Sequence, residues 1–289
     1  MDGRLEVRKT YKLFIGGAFP RSESGRTYVV SDTRGKFLAN ASLASRKDAR
    51  DAVRSARSAQ AAWWGATAYN RGQVLYRIAE MMEGRRAQFE DEVARAEGLS
   101  ARRAATQVDL SIDRWVWYAG WSDKIAQVLG SSNPVAGPYF TFSVPEPTGV
   151  VAAIAPERSS LLGLVSVVAP IIVSGNACIV VPSLSRPLPA IALAEVLATS
   201  DLPGGVVNIL TGRPAEMGPW LASHADVNAL DLTGVEDDAL ATEMEFAAAE
   251  TITRVLIPPR KAPDWSDEPG LDRLRSFVET TTVWHPIGV

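Results

Sequence analysis

From residue 149 to residue 257 the chain alternates between short apolar runs and longer helix-like stretches. The runs at 149–155, 177–181, 206–210, 227–232 and 252–257 are short and mostly apolar, which predicts five strands. Helices are predicted between them, over 161–173, 187–199, 217–222 and 239–249. Strands alternating with helices predict βαβ units, a parallel sheet and right-handed crossovers. A ligand of such a sheet sits beyond the carboxyl ends of the strands. The stretch 161–173 is the longest apolar one. It contains Gly163, Ser166 and Pro170 and ends at Ser174-Gly175-Asn176, so it predicts a buried helix rather than a membrane span.

The first half follows a helical period. A polar, loose start precedes a short strand over 12–15 and a turn at Gly16-Gly17. Ser45 with Asp48 reads as a capping pair, and Ala49, Ala52, Val53 and Ala56 follow on one helix face. Asn70 with Gln73 repeats the signal ahead of Leu75, Ile78, Ala79 and Met82. Helix continues to about Val128, and Trp115, Trp117, Tyr118 and Trp121 read as core packing. Beyond the fifth strand come a polar linker (260–270), a helix-like stretch (271–278) and a closing strand (280–284).

Composition narrows the function. Across 289 residues, 30 basic and 33 acidic side chains give a net charge of −3, without the basic excess that nucleic-acid binding needs. The single cysteine, Cys178, excludes an intrachain disulfide and a CxxC site and makes the cytoplasm the expected location. The charged opening Met1-Asp2-Gly3-Arg4 is unlike a secretory leader. His224 and His285 are too far apart to form a metal motif, and no Gly-x-Ser-x-Gly elbow is present. No metal site and no membrane partner are expected.

Several blocks carry a resemblance. Tyr11-Lys12-Leu13-Phe14-Ile15-Gly16-Gly17 opens the series, and Val144-Pro145-Glu146-Pro147-Thr148-Gly149 leads into Ala152-Ala153-Ile154-Ala155-Pro156. Ser174-Gly175-Asn176-Ala177, Leu202-Pro203-Gly204-Gly205, His224-Ala225-Asp226-Val227 and Leu232-Thr233-Gly234 follow in order. Together they resemble the cofactor-binding domain of the aldehyde dehydrogenase superfamily over about residues 11–258. The resemblance implies a Rossmann-like α/β fold with N-terminal helices and a β oligomerisation arm. The arm is expected as a hairpin at about 134–146 and a terminal strand within 259–289, with the catalytic domain absent between them. The narrower likeness is to the non-catalytic second region of family 16 aldehyde dehydrogenases.

The chemistry the family implies needs a cysteine nucleophile, an oxyanion-stabilising asparagine, NAD(P) and a glutamate base. The family's Pro-Trp-Asn-Phe-Pro block reads Pro156-Glu157-Arg158-Ser159-Ser160 here, with Arg158 at the asparagine position. Lys-Pro-Ser-Glu reads Val181-Pro182-Ser183-Leu184, which removes two ribose contacts worth about 1.5–3 kcal/mol each. The glycine after Thr233-Gly234-Val235 is replaced by Ala239, and Glu236, Asp237 and Asp238 crowd that turn. Pro258-Pro259-Arg260 stands where the base would be, and no cysteine follows Cys178, itself read as a buried structural residue.

The resemblance leaves Ile154, Pro156, Ser183, Gly212, Gly218, Thr233, Gly234 and Val235 as a degenerate cofactor-binding set, with NAD(P) binding weakened and no catalytic residue. The expectation is a pseudoenzyme that docks as an accessory or structural subunit on a full-length aldehyde dehydrogenase or on itself as a homo-oligomer. Two alternatives stay open: a component supplying a cofactor site in a split NAD(P)-dependent oxidoreductase, and a nucleotide or acidic-metabolite sensor using Arg158.

Overall fold

The computed structural model describes residues 9–288. A hairpin of β1 (Thr27–Ser31) and β2 (Phe37–Ser42) precedes five helices: α1 (Arg46–Gly65), α2 (Ala68–Glu83), α3 (Arg86–Glu97), α4 (Ala101–Trp121) and α5 (Ile125–Leu129). Two short arm strands follow, β3 (Ser131–Asn133) and β4 (Tyr139–Pro147). The alternating region is β5 (Val150–Ile154), α6 (Leu162–Val173), β6 (Ala177–Val181), α7 (Leu188–Leu197), β7 (Val207–Ile209), α8 (Pro214–Ala222), β8 (Ala229–Asp231), α9 (Asp238–Ala249) and β9 (Arg254–Leu256). The last elements are α10 (Asp272–Ser276) and β10 (Val278–Pro286).

The five strands of the alternating region form one sheet in the order β7-β6-β5-β8-β9, with every pairing parallel. Both faces are covered, which explains runs without polar alternation. Val150, Ala152 and Ile154 of β5 join a core with Ala49, Ala52 and Val53 of α1 and Leu221 of α8. Val151 and Ala153 point the other way, into a larger core with α2, α3, α4, α6 and α7. That core holds Trp115 and Tyr118 fully buried, while Trp117 and Trp121 pack at its margin. No helix among the described residues is long and apolar enough to cross a membrane.

Ser45 caps α1 in a reciprocal box with Asp48. The α2 cap lies three residues earlier than expected: the Thr67 hydroxyl accepts the Asn70 N–H at 3.2 Å, and the helix is under way by Ala68. The long helical stretch is broken at Gly98, which adopts φ 67 and ends α3 before Ser100 caps α4. Residues 12–15 do not form a strand. Phe14 exchanges two bonds with Ile209 (3.0 and 2.7 Å), while the Leu13 N–H turns back to Pro20. Neighbouring residues thus bond different partners and no ladder develops. The turn at Gly16-Gly17 is present, with φ values of 63 and 81. The loose opening segment lies, through residue 8, outside the described residues; Lys9 pairs with Glu195 at 2.6 Å.

β10 pairs antiparallel with β4 along its whole length, from Val278 opposite Pro147 to Pro286 opposite Tyr139. β3 occupies the other side of β4, giving a three-stranded arm in the order β10-β4-β3. The arm hairpin therefore begins at Ser131, ahead of the expected 134, and its turn falls between Asn133 and Tyr139. Between β9 and β10 lie only a loop and α10.

Candidate functional site

The chain leaves β5 toward β6 on one side, while β8 lies on the other. That reversal opens a crevice at the carboxyl ends of β5 and β8, the usual ligand position in such sheets. A cleft of about 970 Å³ lies there. Pro156, Arg158, Thr233, Gly234 and Val235 line it, and residues 258–267 form its outer wall.

Four of the eight residues expected to hold a cofactor therefore meet in this cleft: Pro156, Thr233, Gly234 and Val235. Ile154 is buried in β5, and its carbonyl accepts the Gly234 N–H at 3.0 Å. Ser183 lies in the loop after β6, where its hydroxyl donates to the Glu157 carbonyl (3.0 Å) and accepts the Arg186 N–H (3.0 Å). Gly212 adopts φ 149 beside Ala44, and Gly218 allows α8 to approach Met244 of α9, whose sulfur would lie 2.7 Å from an added Cβ. Gly234 serves a similar close approach: a Cβ there would lie 2.3 Å from the backbone of Ala155. These glycines and Ser183 are engaged in internal packing and turns.

Glu157 is the main feature the motif comparison missed. Its carboxylate accepts the backbone N–H groups of Leu184 and Ser185, each at 2.9 Å, and the Ser185 hydroxyl. Arg186 adds a bond from its guanidinium to the Glu157 carbonyl at 2.9 Å and another to the Ala96 carbonyl at 3.1 Å. Glu97 of α3 accepts the Ser160 N–H at 2.7 Å. The loops after β5 and β6 are thus latched together by an anionic side chain. Tyr28 of β1 lies near this carboxylate; burial and then the Glu157 charge push its hydroxyl well above the usual tyrosine range.

A second network closes the β8 side. Asp231 is fully buried, and its carboxylate accepts the Thr233 N–H at 3.0 Å, the Thr233 hydroxyl and the guanidinium of Arg273 from α10. Arg273 also donates to the Thr233 hydroxyl at 3.1 Å and lies over the Trp265 ring. Arg114 of α4 donates to the carbonyls of Trp265 (2.7 Å) and Asp267 (2.9 Å). Trp265 rests against Gly163 at the start of α6. Asp231 was visible in advance as the lone charge in an apolar strand run, but its partner 42 residues away was not.

Cys178 lies inside β6, away from the cleft; burial first and the Asp231 charge second push its thiol far above the ordinary range. His224 accepts the Asp226 N–H at 3.1 Å and meets the edge of Trp220, a local role. Among the described residues no cluster of His, Cys, Asp or Glu suits a metal ion.

The residues present do not fit a dinucleotide well. The two N–H groups after β6 already hold a carboxylate, the positions of the ribose-binding pair are Val181 and Leu184, and Glu236 and Asp238 stand at the α9 entrance. A phosphate there would compete with fixed negative charge for the same donors.

Comparison with known proteins matches residues 19–257 to the model named "Aldehyde dehydrogenase family". Cytosolic 10-formyltetrahydrofolate dehydrogenase of Mus musculus is 34% identical over 243 residues, 80% of this chain and 26% of that protein. Retinal dehydrogenase 2 of Gallus gallus is 35% identical over 239 residues, again 80% of this chain and 45% of the relative. The chain thus spans between about a quarter and a half of these relatives' length. A structure from Burkholderia cenocepacia assigned to the aldehyde dehydrogenases superposes with a TM-score of 0.80 at 30% identity, over 84% of this chain and 51% of the other. An aldehyde dehydrogenase from Bacillus cereus, solved with NAD+, shares the fold with a TM-score of 0.79 at 24% identity, over 86% and 50%.

Proposed function

The chain belongs to the aldehyde dehydrogenase family, and from that premise we propose that it is a non-catalytic member acting by assembly. It is a cytoplasmic accessory or structural subunit that docks on a full-length aldehyde dehydrogenase or on a copy of itself. One observation carries this reading. β9 passes through a loop directly into α10 and the arm strand β10, so the sheet and the arm stand together with no cysteine among the described residues that line the crevice. The one cysteine is sealed inside β6. Aldehyde attack needs an accessible thiolate, and a buried thiol with a raised pKa supplies none.

The degenerate cleft supports the same reading. Its four family positions, Pro156, Thr233, Gly234 and Val235, remain together, but Glu157 and the Asp231–Arg273 pair hold the surrounding loops. This counts against supply of a cofactor site to a split enzyme. A sensor of an acidic metabolite is the second reading, favoured by Arg158, which lines the cleft and is exposed with no ion-pair partner among the described residues.

The test is an aldehyde-oxidation assay of the purified chain with NAD+ and NADP+, together with a tagged pull-down from its native cell. The expected outcome is no turnover by the chain and recovery in an assembly. Turnover that disappears in Cys178→Ser would contradict the proposal.

A further inference from the structure

Arg114 of α4 is a buried cation without an anion. It is 7% exposed, and no carboxylate pairs with it among the described residues. Its Nη2 donates to two backbone oxygens, the carbonyls of Trp265 (2.7 Å) and Asp267 (2.9 Å). Its other two nitrogens make no hydrogen bond among the described residues. Asp231 is not a counter-ion for it, because Arg273 already pairs with that carboxylate. Two oxygens converging on a guanidinium are what a carboxylate would offer. Neutral carbonyls compensate a buried charge less well than a carboxylate does.

The Trp265 side chain extends the likeness. Its indole rests at the start of α6 on Gly163, where an added Cβ would lie 3.4 Å from the ring nitrogen and 3.1 Å from Pro156. Arg273 lies over the ring, 5.7 Å from its centroid. From ring to carbonyl, tryptophan has the skeleton of an indole-3-propanoate: the ring, two carbons and a C=O group. The segment that carries it is lightly held. Residues 258–263 make no hydrogen bond or ion pair among the described residues. Asp264 bonds within the segment, accepting the Ser266 N–H (2.9 Å) and hydroxyl (2.6 Å). Arg114 and the ring seat therefore fasten this strap to the body.

We propose that the seat at Gly163 and the Arg114 guanidinium form a binding site for an aromatic carboxylic acid of the indole-propanoate kind, which the strap of residues 258–267 fills with its own Trp265 until the acid displaces it. This rests on the acid-sensor reading above, and it names the ligand class and a second, buried cation that recognises it. The acid's carboxylate takes the place of the two carbonyls, and its ring takes the place of the indole. Because the strap competes, the apparent affinity is the intrinsic one reduced by the fraction of molecules whose strap is out. Binding releases the strap, whose Arg260 and Lys261 are exposed and open to trypsin.

The experiment is isothermal titration of indole-3-propanoate into the whole chain, with trypsin cleavage after Arg260 and Lys261 followed in parallel. Saturable binding is expected, with a Kd on the order of 100 µM. Indole-3-propanamide, which lacks the charge, and propanoate, which lacks the ring, should each bind at least about tenfold more weakly. Saturating acid should speed cleavage of the strap by about threefold or more. Arg114→Met should abolish binding, with the fold checked by circular dichroism. Trp265→Ala empties the ring seat and should tighten binding by about threefold or more, which an Arg114 that merely anchors the strap would not produce. No binding by either the wild-type chain or Trp265→Ala overturns the proposal, and so does binding that Arg114→Met leaves unchanged. Propanoate bound as tightly as the indole acid, and lost in Arg158→Gln, overturns this site but leaves the acid-sensor reading standing; a chain that binds none of these acids removes both.

Discussion

Replacing Arg273 by methionine tests how α10 and the arm are held to the sheet. Asp231 sits fully buried at the end of β8, and among the described residues its only cationic partner is Arg273, whose side chain is itself 20% exposed. Methionine keeps most of the side-chain bulk but removes the guanidinium bonds to Asp231 and to the Thr233 hydroxyl. Two bonds from Thr233 to the carboxylate survive. Removing one partner of a buried pair leaves the other charge uncompensated and costs about 3–5 kcal/mol. For a chain of this size that is a fall in Tm of roughly 6–20 °C. Scanning calorimetry with a urea titration reads the change. The double variant Asp231→Ala with Arg273→Met should recover much of the loss, because the stranded charge is gone. A loss below about 1 kcal/mol in the single variant would refute the assignment, since that is the range of an exposed pair.

Three further outcomes follow from named contacts. Glu157→Ala should speed amide exchange at Leu184 and Ser185 by about tenfold or more, while the Ser183 and Arg186 bonds to the residue 157 carbonyl persist; unchanged protection would remove the latch. Cys178 should resist Ellman's reagent in the folded chain and react on unfolding, because burial suppresses its thiolate; rapid native labelling would contradict this. Glu92 is buried in α3, and burial raises its pKa despite a hydrogen bond from Gln88. A raised carboxyl binds its proton more tightly in the folded state, so its contribution to stability is full below the usual glutamate range and falls as pH rises through the raised value. The Tm of Glu92→Gln relative to wild type should therefore climb as pH increases, and a flat difference would be evidence against it.

Period and composition carried much of the architecture because burial on both sheet faces leaves an unmistakable apolar run. β6 was legible to its boundaries at Ala177–Val181, and Ser45 with Asp48 marked the start of α1. The β1–β2 hairpin was overlooked, although its turn is signalled by Asp32, which accepts the Arg34 and Lys36 N–H groups. Residues 12–15 look like a strand, yet their backbone groups serve separate partners, which no local pattern records. At the cleft, motif positions identified the residues lining it, but not that Glu157 would spend its charge on Leu184 and Ser185. Nor could they reveal the Asp231–Arg273 pair: long-range partners depend on topology, and local spacing is silent about them.

The most direct test of the central claim is isothermal titration of NAD+ and NADP+ into the whole chain. A non-catalytic member whose N–H groups after β6 are taken by Glu157 and whose ribose-binding positions are Val181 and Leu184 should give no saturable heat up to ligand concentrations of about 1 mM, the limit of a very weak site. One-site binding with a Kd on the order of 10 µM or tighter would contradict the account, because it would require a working dinucleotide site in this crevice.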